Sequence, residues 1–352
     1  MASSYTRDRA RRAIERLGWA RLDWPDFSDQ VLGQLQRSVG FDGWCLAQVD
    51  PATLLPGRAV TQDSPAAACQ ERFWQIEYHL RDVNQLASLV SRGRPVRTLN
   101  AATNGDLARS RRGREIMRPA GVTDELRAAL TAGGYCWGTL TLYRASGLPY
   151  TDEDISHLMQ VRHSAAAGAR GTWAAPNPAP DASTDDGPGT IIVTAAGTPL
   201  GATPEARRWL ARLSPDPRAS QAIIYAASSL VTAPAASQET ATAARVRVRT
   251  GDGLWLDIHA SPLAAARSGG DIAITIQAAA AARISPLLMR AYTLSARERQ
   301  IAELMLDGRA PAEIAQILHI SAYTAKDHIK AIFHKTGTHS RPELTQCLTG
   351  HR

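Results

Sequence analysis

The spacing of apolar residues predicts that the first half of the chain mixes helices with strands. Residues 26–39 repeat an apolar side chain every four positions, as a helix with one buried face does: Phe27, Val31, Leu35, Val39. Short apolar segments predict strands at 43–50 and 135–143, the second rich in threonine, leucine and aromatic residues. A helix is expected over 66–80, and a longer one from Thr151 to about residue 172.

The third quarter of the chain shows a second set of strands. Residues 244–250 alternate valine with arginine, which predicts a strand with one buried and one solvated face, the solvated residues being Arg245, Arg247 and Arg249. A Gly-Asp-Gly turn at 251–253 joins this strand to the next as a hairpin. Further elements are expected as strands at 190–194, 254–260 and 271–276 and a helix at 204–213.

Breaks in the pattern divide the chain. Residues 174–189 contain mostly proline, alanine, aspartate and glycine without apolar periodicity, and predict a linker. A weaker break lies near 279–290. The predicted fold class is therefore multidomain, in this order: a basic helical arm (1–22), an α+β domain (23–173), the linker (174–189), a second α+β domain (190–282), a short linker (283–290) and an all-α domain of four helices (291–352).

The C-terminal pattern predicts a helix-turn-helix. Residues 294–348 form four short apolar-periodic segments, separated by helix start and stop signals. These signals are Ser295 with Glu298, Gly308, Pro311, Ser321, Gly337 and Arg341-Pro342. The third segment buries Ala325, Ile329, Ile332 and Phe333 and leaves its other face polar. A tight turn before a half-solvated helix is the arrangement that enters the major groove of DNA.

Composition narrows the class. A hydrophobic content of 44% with 21% charged residues is globular, and no apolar run approaches the roughly 18 residues that span a bilayer. We therefore expect a cytoplasmic protein without a membrane partner. The four cysteines lie far apart, so no disulfide framework, metal site or cofactor is expected.

The distribution of lysine points to nucleic acid. The net charge is +7, yet only three of the 40 basic residues are lysine: Lys326, Lys330 and Lys335. All three lie on the third C-terminal helix, where ammonium groups can meet guanine acceptors and phosphates. Upstream of this helix the lack of lysine excludes a GxxxxGK[ST] phosphate loop and Schiff-base chemistry.

Residues 294–344 resemble a LuxR-type (GerE-like) helix-turn-helix domain. The matching residues include Arg297-Glu298, Glu313-Ile314-Ala315, Thr324, Lys326, Lys335, Gly337 and Glu343-Leu344. The resemblance implies DNA contacts from Ser321, Tyr323, Thr324, Lys326, Asp327, Lys330, His334 and Lys335. It also implies a dimer contact from the fourth helix, through Leu344, Cys347 and Leu348. Asp327 could accept a hydrogen bond from a cytosine amino group or pair with a neighbouring cation.

The first α+β domain resembles a GAF domain, and the second weakly resembles a PAS-like domain. The GAF resemblance is carried by Gly43-Trp44, residues 121–126, Trp137-Gly138 and Tyr150 to Asp154. A GAF domain encloses a cavity between its sheet and helices, so a small-molecule effector is plausible. The candidate lining residues are Trp44, Phe73, Trp74, Tyr78, Trp137 and Tyr143.

We therefore expect a homodimeric regulator that reads a near-palindromic operator, acts with RNA polymerase and responds to a ligand. A sigma-factor-like polymerase subunit, or a regulator controlled only by protein partners, are alternatives. Trp74, Tyr78 and Asp82 leave open an acyl-homoserine-lactone domain, whose remaining spacing fails. Phosphorelay control is not expected without an upstream lysine, and no nucleophile–base pair suggests an enzyme.

Overall fold

The computed structural model describes residues 3–145, 147–175, 187–195, 197–213, 217–232, 244–263 and 270–350. Most of the predicted linker at 174–189 lies outside these residues. Two five-stranded antiparallel sheets are followed by a helical C-terminal unit. Among the described helices, none has the length and apolar character needed to cross a bilayer.

The first sheet has the strand order β2-β1-β5-β4-β3. Its strands are β1 Gly43–Val49, β2 Pro56–Gln62, β3 Val96–Thr98, β4 Asp124–Ala132 and β5 Tyr135–Arg144. The helices of this domain are α1 Ser4–Leu17, α2 Trp24–Ser38, α3 Pro65–Ala68, α4 Gln70–Tyr78, α5 Leu86–Ser91, α6 Leu99–Thr103 and α7 Asp152–Trp173. A 3-10 turn Leu107–Arg109 and a π-helical turn Gly113–Met117 complete it. The predicted strands and long helices are confirmed, whereas the helix expected at 66–80 is divided at Cys69.

Three helices cover one face of this sheet. Thr151 begins α7 with a capping box, as its position before acidic residues predicts. The buried faces of α1, α2 and α7 pack together and against the sheet, with Phe27, Leu35 and Trp137 in the core. The other face of the sheet carries the short helices and the cavity described below.

The second sheet repeats the same topology, with the order β7-β6-β10-β9-β8. Its elements are β6 Gly189–Val193, β7 Pro199–Ala202, α8 Pro204–Leu213, α9 Pro217–Thr232, β8 Ala244–Arg249, β9 Trp255–Pro262 and β10 Ile272–Ala278. The predicted hairpin is confirmed, since β8 and β9 pair on either side of the Gly-Asp-Gly turn. Trp209 and Val246 are among the side chains buried under α8 and α9.

The solvated face predicted for β8 is wrong at two of its three arginines. Arg247 and Arg249 are only 9% and 8% exposed. The carboxylate of Asp50, at the end of β1, accepts from Nε and Nη2 of Arg247 at 2.7 and 2.5 Å. Arg249 donates to the Ala175 carbonyl at 2.7 Å. The first domain covers this face, so alternation along the strand could not distinguish solvent from a neighbouring domain.

The linker expected at 283–290 is also wrong. Helix α10, Ala281–Ala291, spans this segment and buries Ile284, Leu287 and Leu288. One continuous apolar cluster joins this helix to Trp173 at the end of α7 and to Trp255 of β9, whose rings stack 5.7 Å apart. Alanine-rich sequence suggested a break, but the helix is buried between the domains.

Four helices form the C-terminal unit: α11 Ala296–Leu306, α12 Pro311–Ile317, α13 Ala322–Thr336 and α14 Arg341–Thr349. The predicted caps at Ser295 and Ser321 are confirmed, as are the left-handed glycines Gly308 and Gly337. Glycine adopts the left-handed conformation without steric strain, so it can end a helix at these positions. Helix α14 packs on α10, so this unit shares the interdomain cluster.

The buried pair of Asp50 and Arg247 yields a stability prediction. Asp50→Asn leaves Arg247 buried without its counter-charge, which costs about 3–5 kcal/mol. We expect a clear fall in the denaturant midpoint. Replacing both residues with leucine restores much of the loss, because an apolar pair needs no desolvation.

The control is Glu15→Gln, which breaks the solvent-accessible pair of Glu15 with Arg11 on α1 and changes the midpoint little. An Asp50→Asn variant that unfolds at the wild-type midpoint would show that the interdomain pair contributes nothing.

Candidate nucleic-acid interface and inner cavity

Helix α13 is fixed on its inner side by α11 and α12. Ser321 Oγ accepts a hydrogen bond from the Thr324 N–H at 3.0 Å, and Gly337 ends the helix at φ 66°. Ala325 and Ile332 are fully buried. Ile329 and Phe333 are half-buried beside them. The inner face is therefore the apolar one that the sequence predicts.

The outer face of α13 is open to solvent. Six of the eight predicted DNA contacts lie exposed on it: Ser321, Tyr323, Lys326, Asp327, Lys330 and His334. Tyr323 is 75% exposed. Within the described chain, neither lysine forms an ion pair, and Asp327 pairs with no cation. Thr324 is half-buried and shares a hydrogen bond with Ser321, 2.9 Å apart.

This face has the chemistry of a major-groove surface. Its first turn has backbone N–H groups without helical partners, which attract a phosphate. Two free ammonium groups follow one turn apart, at Lys326 and Lys330, and each can donate to guanine O6 and N7 or to phosphate oxygens. Nothing in the described part of the chain covers them.

Lys335 does not join this face. Its Nζ lies 2.6 and 2.9 Å from the two carboxylate oxygens of Glu298 on α11. The predicted DNA contact from Lys335 stays a prediction, and in this conformation the side chain holds α13 to α11. Its position near the inward residues Ile332 and Thr336 is the signal that distinguishes it from Lys326 and Lys330.

The dimer contact implied for Leu344, Cys347 and Leu348 stays a prediction, but these side chains do not face solvent in the single chain. All three are buried, at 3% exposure or less, and lie in the cluster that contains α10. They are core residues of the chain itself. The outward side of α14 carries Pro342, Glu343 and Gln346 instead.

A cavity of about 1250 Å³ lies on the other face of the first sheet. Five of the six predicted lining residues surround it: Trp44, Phe73, Trp74, Tyr78 and Tyr143. Ala222 and Ile223 of α9 also contribute to its wall. The cavity therefore lies where the first two domains meet.

Trp137 is not part of the cavity wall. The pairing of β4 with β5 shifts by one residue, so that Leu130 faces Gly138 and Thr131 faces Cys136. Trp137 is the unpaired residue of this β-bulge. Its ring therefore lies on the helical side of the sheet, where it is 1% exposed. The lining prediction for Trp137 is wrong because strict alternation does not anticipate a bulge.

The cavity wall contains one buried ion pair. Arg127 donates to the Glu77 carboxylate at 2.8 Å. Burial alone lowers the pKa of Arg127, but the negative charges of Glu77 and Glu125 outweigh it and raise that pKa. Burial raises the pKa of the Cys45 thiol to about 11, which keeps it neutral. The wall is thus aromatic and apolar in large part, with this ion pair and three further carboxylates, Asp29, Asp42 and Asp63.

Two polar atoms near the cavity lack partners among the described residues. They are Trp74 Nε1 and Thr139 Oγ1, both fully buried. Trp74 stacks on Tyr78 at 5.8 Å, which fixes the direction of its N–H. A buried donor without a partner costs free energy, so each atom would be stabilised by a hydrogen-bond partner that local movement brings within reach.

The sequence missed a buried ion-pair network beside the cavity. Arg112 is 0% exposed and donates to both oxygens of Glu125 at 2.8–3.1 Å. The Asp82 carboxylate accepts from the backbone N–H of Arg112 at 2.8 Å and from Ser110 at 2.9 Å. Asp82 therefore holds this loop, outside the cavity wall. The arginine-rich sequence 109–114 has the composition of a solvated edge, so composition alone does not reveal its one buried member.

Comparison with known families identifies two parts of the chain. Residues 292–348 match the family model described as bacterial regulatory proteins, luxR family. Residues 23–168 match the model of the GAF domain. No curated protein matches the chain. The two resemblances drawn from motifs are thereby confirmed, and the PAS-like resemblance stays a prediction.

The pair of Glu298 and Lys335 makes the stability of the helix-turn-helix unit depend on pH. Burial raises the Glu298 pKa, but the hydrogen bonds from Lys335 and the Ser295 N–H outweigh it, and the pKa lies below 4.5. A lowered carboxyl pKa stabilises the fold above the unfolded-state pKa, and this contribution is lost as pH falls through the folded-state pKa.

We expect Glu298→Gln to lower the melting temperature at neutral pH by roughly 2–4 °C, the effect of about 1 kcal/mol. The difference from wild type should shrink below about pH 4.5. Scanning calorimetry at both pH values measures it, with the exposed Glu303→Gln on the same helix as control. An equal difference at both pH values contradicts the assignment.

Proposed function

Starting from a chain that joins a GAF domain to a LuxR-type helix-turn-helix domain and is thus a DNA-binding regulator, we propose that it binds a specific operator as a homodimer and that a small molecule in the GAF cavity controls this binding. The observation that carries the proposal is the open outer face of α13, where Lys326 and Lys330 lie exposed above a buried apolar face.

Different parts of α13 contact the bases and the phosphates. The N-terminal half presents Tyr323, Lys326 and Asp327 to base edges, and the free N–H groups of the first turn bind a flanking phosphate. Asp327 has no cation partner in the described chain, which favours a role as acceptor for a cytosine amino group. His334 lies near the far end of the face, where it meets backbone.

A near-palindromic operator follows from a two-fold dimer. Two α13 helices then enter the groove about 34–36 Å apart, one helical turn. Since Leu344, Cys347 and Leu348 are buried in their own chain, the dimer contact falls to the outward side of α14, at Pro342 and Gln346. The buried trio supports this contact by fixing the helix on α10.

The effector is a largely apolar small molecule with at least one hydrogen-bond acceptor. The aromatic wall favours a flat apolar body, and the unpartnered Trp74 N–H and Thr139 hydroxyl favour an acceptor. The ion pair of Glu77 and Arg127 is balanced, and the other charged residues of the wall are aspartates, so an anionic ligand is disfavoured. A ligand here touches α4 and α9 together, and α9 belongs to the second domain.

RNA polymerase is the partner that a regulator of this class acts on. A sigma-like polymerase subunit is the second candidate, but the family models that match the chain are those of luxR-type regulators and GAF domains. Control by protein partners alone is the remaining alternative, and an effector found in the cavity argues against it. The middle domain, PAS-like by sequence, is proposed to couple the cavity to α10.

Lys326→Ala and Lys330→Ala test the DNA-binding face. We expect each to weaken binding to a selected operator by about 1–3 kcal/mol, because an ammonium donor to a base edge or phosphate is lost. The measurement is a titration of full-length protein on operators selected from a random duplex library. The matched control is Arg92→Ala, an exposed cation of the GAF domain, which leaves affinity unchanged.

If both lysine variants bind the selected operator as tightly as wild type does, α13 is not the reading helix.

Thr141→Trp tests the cavity. Thr141 is 4% exposed and lies in the wall, so an indole there fills the space. We expect native mass spectrometry to find a small molecule bound to wild type and to find none on the variant. Adding the recovered molecule at about 100 times its Kd should stabilise wild type by about 2.7 kcal/mol and the variant not at all.

Thr123→Trp makes the same exchange at an exposed site and serves as control. The ligand proposal fails if wild type carries no molecule, or if the recovered molecule leaves operator affinity unchanged.

A further inference from the structure

Helix α1 has a buried face and a face open to solvent. Ala10, Ile14 and Leu17 are buried against α2 and α7. On the opposite side five exposed side chains recur at steps of four, three, four and three residues, which places them on one helix face. We name this row the arginine–aromatic stripe: Tyr5, Arg9, Arg12, Arg16 and Trp19.

The stripe extends two residues past the regular helix, to Trp19, through a hydrogen-bonded turn. The Trp19 N–H donates to the Arg16 carbonyl at 3.2 Å, and the Gly18 N–H to the Ile14 carbonyl at 3.1 Å. Gly18 lies close against α7, where a Cβ would be 3.0 Å from the Ser164 carbonyl oxygen. Trp19 is thereby held outward, 84% exposed.

The arginines of α1 differ in whether a carboxylate pairs with them. Arg7 is paired with Glu153 and Asp154 of α7 at 2.7 and 2.9 Å. Arg11 pairs with Glu15 on its own helix at 2.6 Å. No carboxylate of the described chain pairs with the three arginines of the stripe. Three uncompensated cations in a row, with an aromatic donor at each end, suit a linear polyanion.

The Trp19 end of the stripe lies next to α13. Arg21, two residues after Trp19, donates from Nη2 to the Lys335 carbonyl at 2.8 Å. Its guanidinium also lies over the ring of Tyr292, 5.6 Å from the centroid. Consecutive Cα atoms are about 3.8 Å apart, so Trp19 stays close to the last turn of α13. A duplex held by α13 is the nearest polyanion.

We propose that the arginine–aromatic stripe binds the phosphate backbone of the duplex beside the site read by α13. The inference rests on the proposed DNA binding by that helix. Arg9 to Arg16 spans roughly 10 Å of helix, and one strand carries a phosphate about every 3.4 Å of duplex axis. The guanidinium groups can therefore reach successive phosphates of one strand, and the Tyr5 hydroxyl and Trp19 N–H are further donors.

Phosphate contacts carry no sequence information, so the stripe adds affinity to all sequences alike. Each neutralised phosphate contributes about 0.9 to the slope of log affinity against log salt. The stripe therefore has a signature distinct from that of the reading helix. Self-association through the stripe is disfavoured, because two rows of unpaired arginines repel one another.

The test compares full-length wild type with the triple variant Arg9→Gln, Arg12→Gln, Arg16→Gln. The probe is a mixed-sequence duplex of about four helical turns, titrated by fluorescence anisotropy over a range of salt. We expect the triple variant to reduce the salt slope by about 2–3. The single Arg12→Gln variant, at an exposed position, should reduce it by about 0.9.

The matched control removes the same charge from three exposed arginines of the GAF domain: Arg81→Gln, Arg92→Gln, Arg94→Gln. It should keep the wild-type slope. A wild-type slope in both the triple and the single stripe variants overturns the proposal. A changed sedimentation coefficient with an unchanged slope also overturns it, and identifies the stripe as a surface between copies of the chain.

The experiments distinguish failure of the stripe proposal from failure of the proposed DNA reading by α13. Lys326→Ala should reduce the preference for a selected operator over the mixed duplex, whereas the stripe variant should lower affinity for both by the same factor. Loss of slope in the stripe variant, together with lysine variants that behave as wild type, retains the stripe and rejects α13 as the reader. The opposite result retains α13 and rejects the stripe.

Discussion

The buried contact on which the architecture depends is the apolar cluster that runs through all three domains. Trp173 closes the long helix of the GAF domain, Trp255 stacks on it from the second sheet, and α10 and α14 pack around them. Close packing of this kind resists continuous deformation, so a change at one side must move whole elements. The helix-turn-helix unit is therefore held by the sensor half of the chain, and not merely tethered to it.

An ion pair and hydrogen bonds also connect the domains that this cluster joins. Asp50 and Arg247 join the first sheet to the second, and Arg247 also donates to the Arg283 carbonyl at the start of α10 at 3.0 Å. The Tyr292 hydroxyl donates to the Ala174 carbonyl at 3.2 Å. The cavity proposed to hold an effector is lined by α9 as well as by the GAF domain, so a bound molecule would contact the same junction. The outer face of α13, proposed to read DNA, lies outside this junction and is open to solvent.

Local patterns in the sequence predicted the helices and strands well, but they did not predict contacts between distant parts of the chain. Helix caps, glycine stops and the two faces of α13 were predictable, because each depends on residues a few positions apart. Arg247, Arg112 and α10 were not, because each is buried by a distant part of the chain. An arginine opposite a buried carboxylate has the same local pattern as one facing water. The bulge that turns Trp137 away from the cavity is likewise invisible to a rule of alternation.

We propose that the chain reads DNA with the outer face of α13, while its inner face packs on α11 and α12 within the cluster that reaches the sheet domains. Hydrogen exchange of the full-length protein, read by mass spectrometry with and without a selected operator duplex, tests it most directly. Backbone amides in the first turns of α13, from Ala322 to about Lys330, should gain protection on DNA. Protection confined to the two sheet domains, with α13 unchanged, would contradict the account.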